Sequence, residues 1–235
     1  SHARGKWIIF ADADDFFTAN CFTILNEYMD SPHKVIYFNV RFVMSDDPSQ
    51  ESRRGTYYTN FFNDVNPENK LRYQSQVPWG KMIRRSFLST FHIQFDETRI
   101  ANDVYFSCLV GIYAPKVTTD RRIIYYCTES DQSLAMSKQD RESLIIRFNA
   151  SMKCNRLLRQ EKIHYYLSPL PWCIPSAKTK EWLPAKYFFE YLFFFRLQAF
   201  KELYYAFSAI LSHMNEPATK ETDNQCNKKT TNLKE

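Results

Sequence analysis

Residues Lys6 to Phe17 read Lys-Trp-Ile-Ile-Phe-Ala-Asp-Ala-Asp-Asp-Phe-Phe, and the fold follows from how this stretch is read. Trp7 to Ala11 is an unbroken apolar run of strand length, rich in β-branched and aromatic residues. That is the pattern of a strand buried on both faces of a parallel sheet. It ends in three carboxylates, Asp12, Asp14 and Asp15. Open α/β sheets bind ligands beyond the carboxyl ends of their strands. Side chains two apart in an extended segment point the same way, so Asp12 and Asp14 converge on one ligand and Asp15 points elsewhere. Two convergent carboxylates suit a hard divalent cation, which prefers oxygen ligands and shares them with phosphate. The plainer alternative is a strand that runs into an Asp-rich turn and a helix capped at Thr18 or Asn20.

Composition narrows the classes. At 235 residues the chain holds one large domain, or one domain and an appendage. With 44% hydrophobic and 24% charged residues it is of globular type. The net charge of +5 is a mild basic bias, compatible with phosphates or an anionic lipid surface. No nucleic-acid partner is expected. Only four glycines occur, far apart, which excludes a Gly-rich phosphate loop of the Walker or dinucleotide kind. The six cysteines never form a Cys-x-x-Cys pair, and with five scattered histidines they give no zinc pattern. Buried free thiols in a reducing compartment are expected instead. The chain opens on Ser1-His2-Ala3-Arg4-Gly5-Lys6 with no signal peptide, directly before a core strand, as a domain cut in its middle would.

Further along, Asn20 to Met29 has helical apolar spacing and Asp30-Ser31-Pro32 stops it. Val35 to Val43 reads as a long strand. Ser45 to Gly55 is a polar connection, Thr56 to Phe62 is ambiguous, and Asn63 to Gln76 is loop or short helix. Val77 to Leu88 places Trp79 between Pro78 and Gly80, with Lys81 next. An aromatic plane beside a cation holds a sugar or a phosphate-bearing ligand; it also covers a core edge, since both side chains bury stems and expose tips. In Phe95 to Val110, Asn102 is a good N-cap and the residues after it have helical spacing. Asp103 then falls in the first turn, either as a plain helix-end acid or as a general base facing a cleft.

These stretches taken in order resemble family 2 glycosyltransferases. The matching residues are Ala3 to Asp15, then Trp79-Gly80-Lys81-Met82-Ile83-Arg84-Arg85-Ser86-Phe87-Leu88, then Phe95-Asp96-Glu97 and Asn102-Asp103-Val104-Tyr105-Phe106. Arg121 to Leu134 resembles the strand and loop that follow the catalytic helix in that family. The match runs from Ala3 to Leu134. The resemblance implies an α/β fold, a partial GT-A (Rossmann-like) mixed sheet flanked by helices. It implies a nucleotide-diphosphate-sugar donor and inverting transfer to the hydroxyl of a saccharide or lipid-linked acceptor, in polysaccharide or glycoconjugate synthesis. Asp12 and Asp14 match the Asp-x-Asp element that holds Mg²⁺ or Mn²⁺, with Asp14 as the direct ligand. Asp103 matches the catalytic base, and Trp79, Lys81 and Asn102 match the substrate-binding side. Many members carry Glu-Asp where this chain has Asn102-Asp103. The strands that hold nucleobase and ribose in the family have no counterpart here, so the chain reads as the carboxyl-terminal part of a transferase.

The expected organisation is residues 1–135 as the carboxyl-terminal part of a GT-A domain, 136–214 as a helical extension, and 215–235 as a disordered polar tail. Within the extension, Lys138 to Lys162 reads as a helix, Ser168 to Pro184 as a proline-broken linker, and Ala185 to Met214 as a long helix. Its uncharged run, Leu203 to Met214, is too short to cross a bilayer. It packs on the transferase or lies on a membrane surface, which gives a cytoplasmic protein, with or without peripheral contact at the inner face of the membrane. Two other classes compete. Haloacid-dehalogenase-type phosphatases also place Asp-x-Asp after an apolar strand, but usually carry Thr where this chain has Phe16. The other is a non-catalytic fragment that binds only a partner or a membrane.

Overall fold

The computed structural model describes residues 2–52, 55–129, 140–173, 183–196 and 198–204. Residues 130–139, the part of the expected helix beyond Tyr204, Cys226 and residues 215–235, expected as a polar tail, lie outside them. Contacts divide the chain into two units, Ser1–Phe188 and Phe189–Glu235.

The first unit is α/β, as expected. It opens with β1 (Trp7–Ile9) and β2 (Phe16–Phe17), followed by α1 (Cys21–Asn26) and the long β3 (Val35–Met44). Two short helices come next, α2 (Gly55–Phe62) and α3 (Pro67–Gln74). Asn66 caps α3 by accepting from the Asn69 N–H, and Pro67 supplies the preset φ of the first helical position. Then follow β4 (Lys81–Arg84), α4 (Arg85–Thr90), α5 (Asn102–Tyr113) and β5 (Val117–Glu129). The five strands form one mixed sheet in the order β1-β4-β3-β5-β2. Only β3 and β5 pair in parallel; β1, β2 and β4 pair antiparallel to their neighbours.

The role expected of Trp7 to Ala11 needs correction. The strand ends at Ile9, lies at a sheet edge against β4 alone, and is half-buried. The doubly buried strand is β3, whose Val35 to Phe38 are all sealed from water. Because β1 and β2 occupy opposite edges, residues 10–15 must cross the whole sheet between them.

Two helices fix α5 in place. Arg72 of α3 donates to the carbonyls of Gly111 and Ala114 at 2.9 and 2.8 Å, satisfying the carbonyl end of α5. On the other side lies α6 (Arg141–Gln160), where the helix was expected over Lys138 to Lys162. Asp140 caps it by accepting from the Ser143 N–H, and the Ser143 hydroxyl, then this N–H, then Arg99 hold the Asp140 carboxyl down to about 2. Arg99 bonds Asp140 at 2.7 Å, and Lys153 bonds Asp96 at 2.8 Å while lying over the Tyr105 ring. The expected linker contains α7 (Leu170–Cys173). Last comes α8 (Ala185–Phe195), within which the boundary between the two units falls. The single long helix expected over Ala185 to Met214 is interrupted: Arg196 takes φ 46, a left-handed conformation that ends α8.

Five cysteines, Cys21, Cys108, Cys127, Cys154 and Cys173, are free and buried, as expected. Among the described residues no helix is long and apolar enough to cross a membrane.

Candidate active site

The acidic stretch is a turn rather than an extended strand end. The Asp15 N–H donates to the Asp12 carbonyl at 3.3 Å, which closes four residues on themselves. Alternation along an extended segment therefore does not orient these carboxylates; β5 does. The Tyr125 hydroxyl accepts from the Asp12 N–H at 2.8 Å and donates to Asp15 Oδ2 at 2.7 Å. The Thr128 N–H donates to Asp15 Oδ1 at 2.7 Å, and its hydroxyl to the Asp14 carbonyl at 2.9 Å. The Asp15 carboxylate is thus occupied in holding the turn. Asp12 and Asp14 are exposed, and their carboxylates make no hydrogen bond or ion pair among the described residues. Tyr125→Phe should remove both hydroxyl bonds and leave Asp15 held by Thr128 alone. A bond to a charged group and an orphaned N–H predict a loss of about 1–3 kcal/mol, measurable by urea unfolding; an unchanged midpoint would mean the turn stands without Tyr125.

Asp103 is the second residue of α5. Asn102 is not the cap: that position belongs to Ala101, whose φ of 52 is left-handed and costly for a residue with a Cβ. Asn102 is exposed, and its carbonyl accepts from the Asp96 N–H at 3.0 Å. Three aromatic rings bring this helix start to the acidic turn. Phe10, two residues before Asp12, meets Phe95 at 5.2 Å and Phe106 at 5.3 Å edge-on, and those two stack at 4.2 Å. Phe10 is thereby pinned to the first turns of α5.

The charges register this proximity. The Asp12 carboxyl is raised by partial desolvation, then by repulsion from Asp15, Asp14 and Asp103. The half-buried Asp103 carboxyl is raised by desolvation, which the first backbone N–H groups of α5 and the charges of Lys81 and Arg147 partly offset. Asp12 therefore feels three other carboxylates, two from its own turn and Asp103 from the helix.

Lys81 is wholly buried. Its ammonium donates to the Ser75 carbonyl at 3.1 Å and lies 5.6 Å from the centre of the Tyr37 ring. Burial pulls it down to about 7, against the attraction of Asp103. Trp79 is also interior, with Phe42, Tyr58 and Tyr125 around its ring. Neither side chain reaches solvent, so direct contact with a substrate, expected of both, does not fit this placement. Lys81 instead acts on Asp103 from inside, and Trp79 backs Tyr125. Asp96, the other carboxylate near the helix start, is taken up by Lys153 at 2.8 and 3.0 Å.

Among the described residues, no three His, Cys, Asp or Glu gather closely enough to hold a metal ion unaided. Magnesium does not require them, since one or two carboxylates, waters and substrate phosphates complete its shell. The donor set here fits that use. Asp12 and Asp14 carry unengaged carboxylates, and the repulsion at Asp12 is what a cation relieves.

Sequence reasoning missed Tyr125, Thr128, Phe10 and Arg147. Phe10 carried a signal, an aromatic residue closing the strand before the acids. Arg147 carried none, because it comes from α6 beyond the matching region.

Residues 1–91 match the family model described as Glycosyl transferase family 2. The family resemblance read from the sequence stands over that segment. No curated protein matches the chain. Among solved structures, S. aureus TarS 1-349 in complex with UDP-GlcNAc is 17% identical, with TM-score 0.49, covering 72% of this chain and 46% of that one. The same protein in complex with UDP is 17% identical, with TM-score 0.46 and coverages of 72% and 44%. S. aureus TarS itself is 16% identical, with TM-score 0.46 and coverages of 72% and 27%. The chain spans less than half the length of these structures.

Proposed function

We propose that this chain is the metal- and base-bearing part of an inverting family 2 glycosyltransferase, moving a sugar from a nucleoside diphosphate to an acceptor hydroxyl. The observation that carries the reading is the meeting of the Asp12–Asp15 turn with the start of α5 through Phe10, Phe95 and Phe106. It brings the turn that carries the unengaged Asp12 and Asp14 near the desolvated Asp103, from positions about ninety residues apart in the chain.

Asp12 and Asp14 would hold Mg²⁺ or Mn²⁺ jointly with the donor's diphosphate oxygens. A cation there offsets the negative charge that builds on the leaving diphosphate. Asp103 accepts the acceptor's proton as that oxygen attacks the anomeric carbon from the face opposite the departing group. Desolvation suits it to this, since a raised carboxyl is a stronger base than one in water. Lys81, when protonated, favours the ionised form of Asp103 from behind, and exposed Asn102 would line the acceptor side. The acceptor is a saccharide or a lipid-linked sugar. Five free, buried cysteines support a reducing, cytoplasmic setting.

The test uses a transferase that carries this sequence together with a nucleotide-binding half. Asp14→Ala should abolish metal-dependent transfer and weaken Mn²⁺ binding in the presence of a nucleoside diphosphate, while the melting temperature holds because Asp14 is exposed. Transfer that persists in the variant under a chelator would remove the metal from the mechanism.

A further inference from the structure

The second unit leaves large aromatic side chains in water. Phe189, Phe193, Phe200 and Tyr204 are between 66% and 78% exposed. Phe189 and Phe193 are four apart on α8 and share one face. Tyr191, also on α8, is wholly buried, and its hydroxyl donates to Glu202 at 3.0 Å, so α8 and segment 198–204 belong to one folded piece. Aromatic side chains exposed in series mark an interaction surface.

The charges around them select the partner. Among described residues 189–204 the exposed charges are Arg196 and Lys201, both positive. The acids are withdrawn: Glu202 accepts from Tyr191, and Glu190 is half-buried and engaged. Aromatic side chains with cations beside them and no exposed acid between are what an interfacial helix offers to an anionic bilayer. A second copy of the chain suits this face poorly. A two-fold pairing sets the same patch against itself and would bring Arg196 and Lys201 against their like charges.

We propose that residues Phe189 to Tyr204 dock on the surface of an anionic membrane, with the phenylalanine rings inserted at the headgroup boundary and Arg196 and Lys201 against lipid phosphates. The docking is peripheral and independent of catalysis. Each cation near an anionic surface is worth roughly a factor of five in binding, so reversing two should cost tenfold or more.

The full chain is sedimented with vesicles of phosphatidylcholine alone or with added phosphatidylglycerol. It should partition at least about tenfold more strongly to the anionic vesicles, and less so as salt rises. F189S/F193S and R196E/K201E should each lose that binding while keeping the far-ultraviolet circular dichroism and melting temperature of the parent, since the altered side chains are exposed. Failure of the parent to bind anionic vesicles would overturn the proposal, and so would equal binding to neutral ones or undiminished binding by either variant. Light scattering that finds a dimer dissolved by F189S/F193S would also overturn it, in favour of self-association.

Discussion

Asp103→Asn should lower kcat by about 10²- to 10⁴-fold, the usual worth of a positioned general base, with donor affinity nearly unchanged. Asn keeps the size and hydrogen-bonding reach of Asp and loses only its basicity. The structure adds a second expectation that separates a base from a helix-end acid. Desolvation raises the Asp103 carboxyl above its ordinary value, so the folded state holds that proton more tightly than the unfolded chain does. Stability therefore falls as pH rises from the unfolded to the folded value, and at neutral pH the ionised carboxylate is a net cost. Asp103→Asn should leave the melting temperature at pH 7 unchanged or higher while turnover collapses. In the parent enzyme the acid limb of kcat against pH should lie above the ordinary carboxylate range, for the same reason. A favourable helix-end acid predicts the reverse pair, with near-normal turnover and a small loss of stability. Near-normal turnover would send the search for a base to Glu97, since Asp96 is already bound by Lys153.

Gly111→Ala should be severely destabilising, against the grain of helix propensity. Gly111 lies inside α5, where Ala is ordinarily the better residue by about 1 kcal/mol. Here a Cβ would stand 1.7 Å from the Arg72 carbonyl oxygen and 2.7 Å from its carbon. These are backbone atoms of α3, which cannot swing aside as a side-chain tip would. Relief requires separating α3 from α5, and with it the two Arg72 bonds to the end of α5. Overpacking costs about 1–3 kcal/mol and sometimes more; a clash this deep belongs at the upper end. At about 3 kcal/mol the melting temperature should drop by roughly 6–12 °C for a chain of this size. Because α5 carries Asp103, activity should fall with it. Thermal melting decides the matter: a variant as stable as the parent would show that α3 and α5 slide apart freely.

Elements whose pattern is local were legible in the sequence. The apolar run at Val35, the helical period within Lys138 to Lys162 and the position of Asp103 in a first turn all follow from spacing within a few residues. What depended on distant partners was not. An edge strand covered on its faces reads like a central one, so Trp7 to Ile9 looked interior. Lys81 looked like a side chain with its tip in water, because nothing in Trp-Gly-Lys-Met reveals that the Ser75 carbonyl waits for the ammonium inside. The Asp-rich stretch showed its carboxylates but not its shape. That shape is imposed by Tyr125 and Thr128, more than a hundred residues later. The cap of α5 was misread because Ala101 takes a backbone conformation that no sequence rule assigns to alanine.

The crossing from β1 to β2 also sets an order of events during folding. The Asp12 N–H and the Tyr125 hydroxyl are 113 positions apart along the chain, and β1 and β2 belong to opposite edges of the sheet. The turn between them is held by residues of β5, so its contacts are expected to form late, on the native side of the folding barrier. Contacts absent from the transition state slow unfolding and leave the rate of folding alone. The stability lost in Tyr125→Phe should therefore appear mainly as a faster unfolding limb in stopped-flow kinetics, and a folding limb slowed by as much would place the acidic turn in the folding nucleus instead.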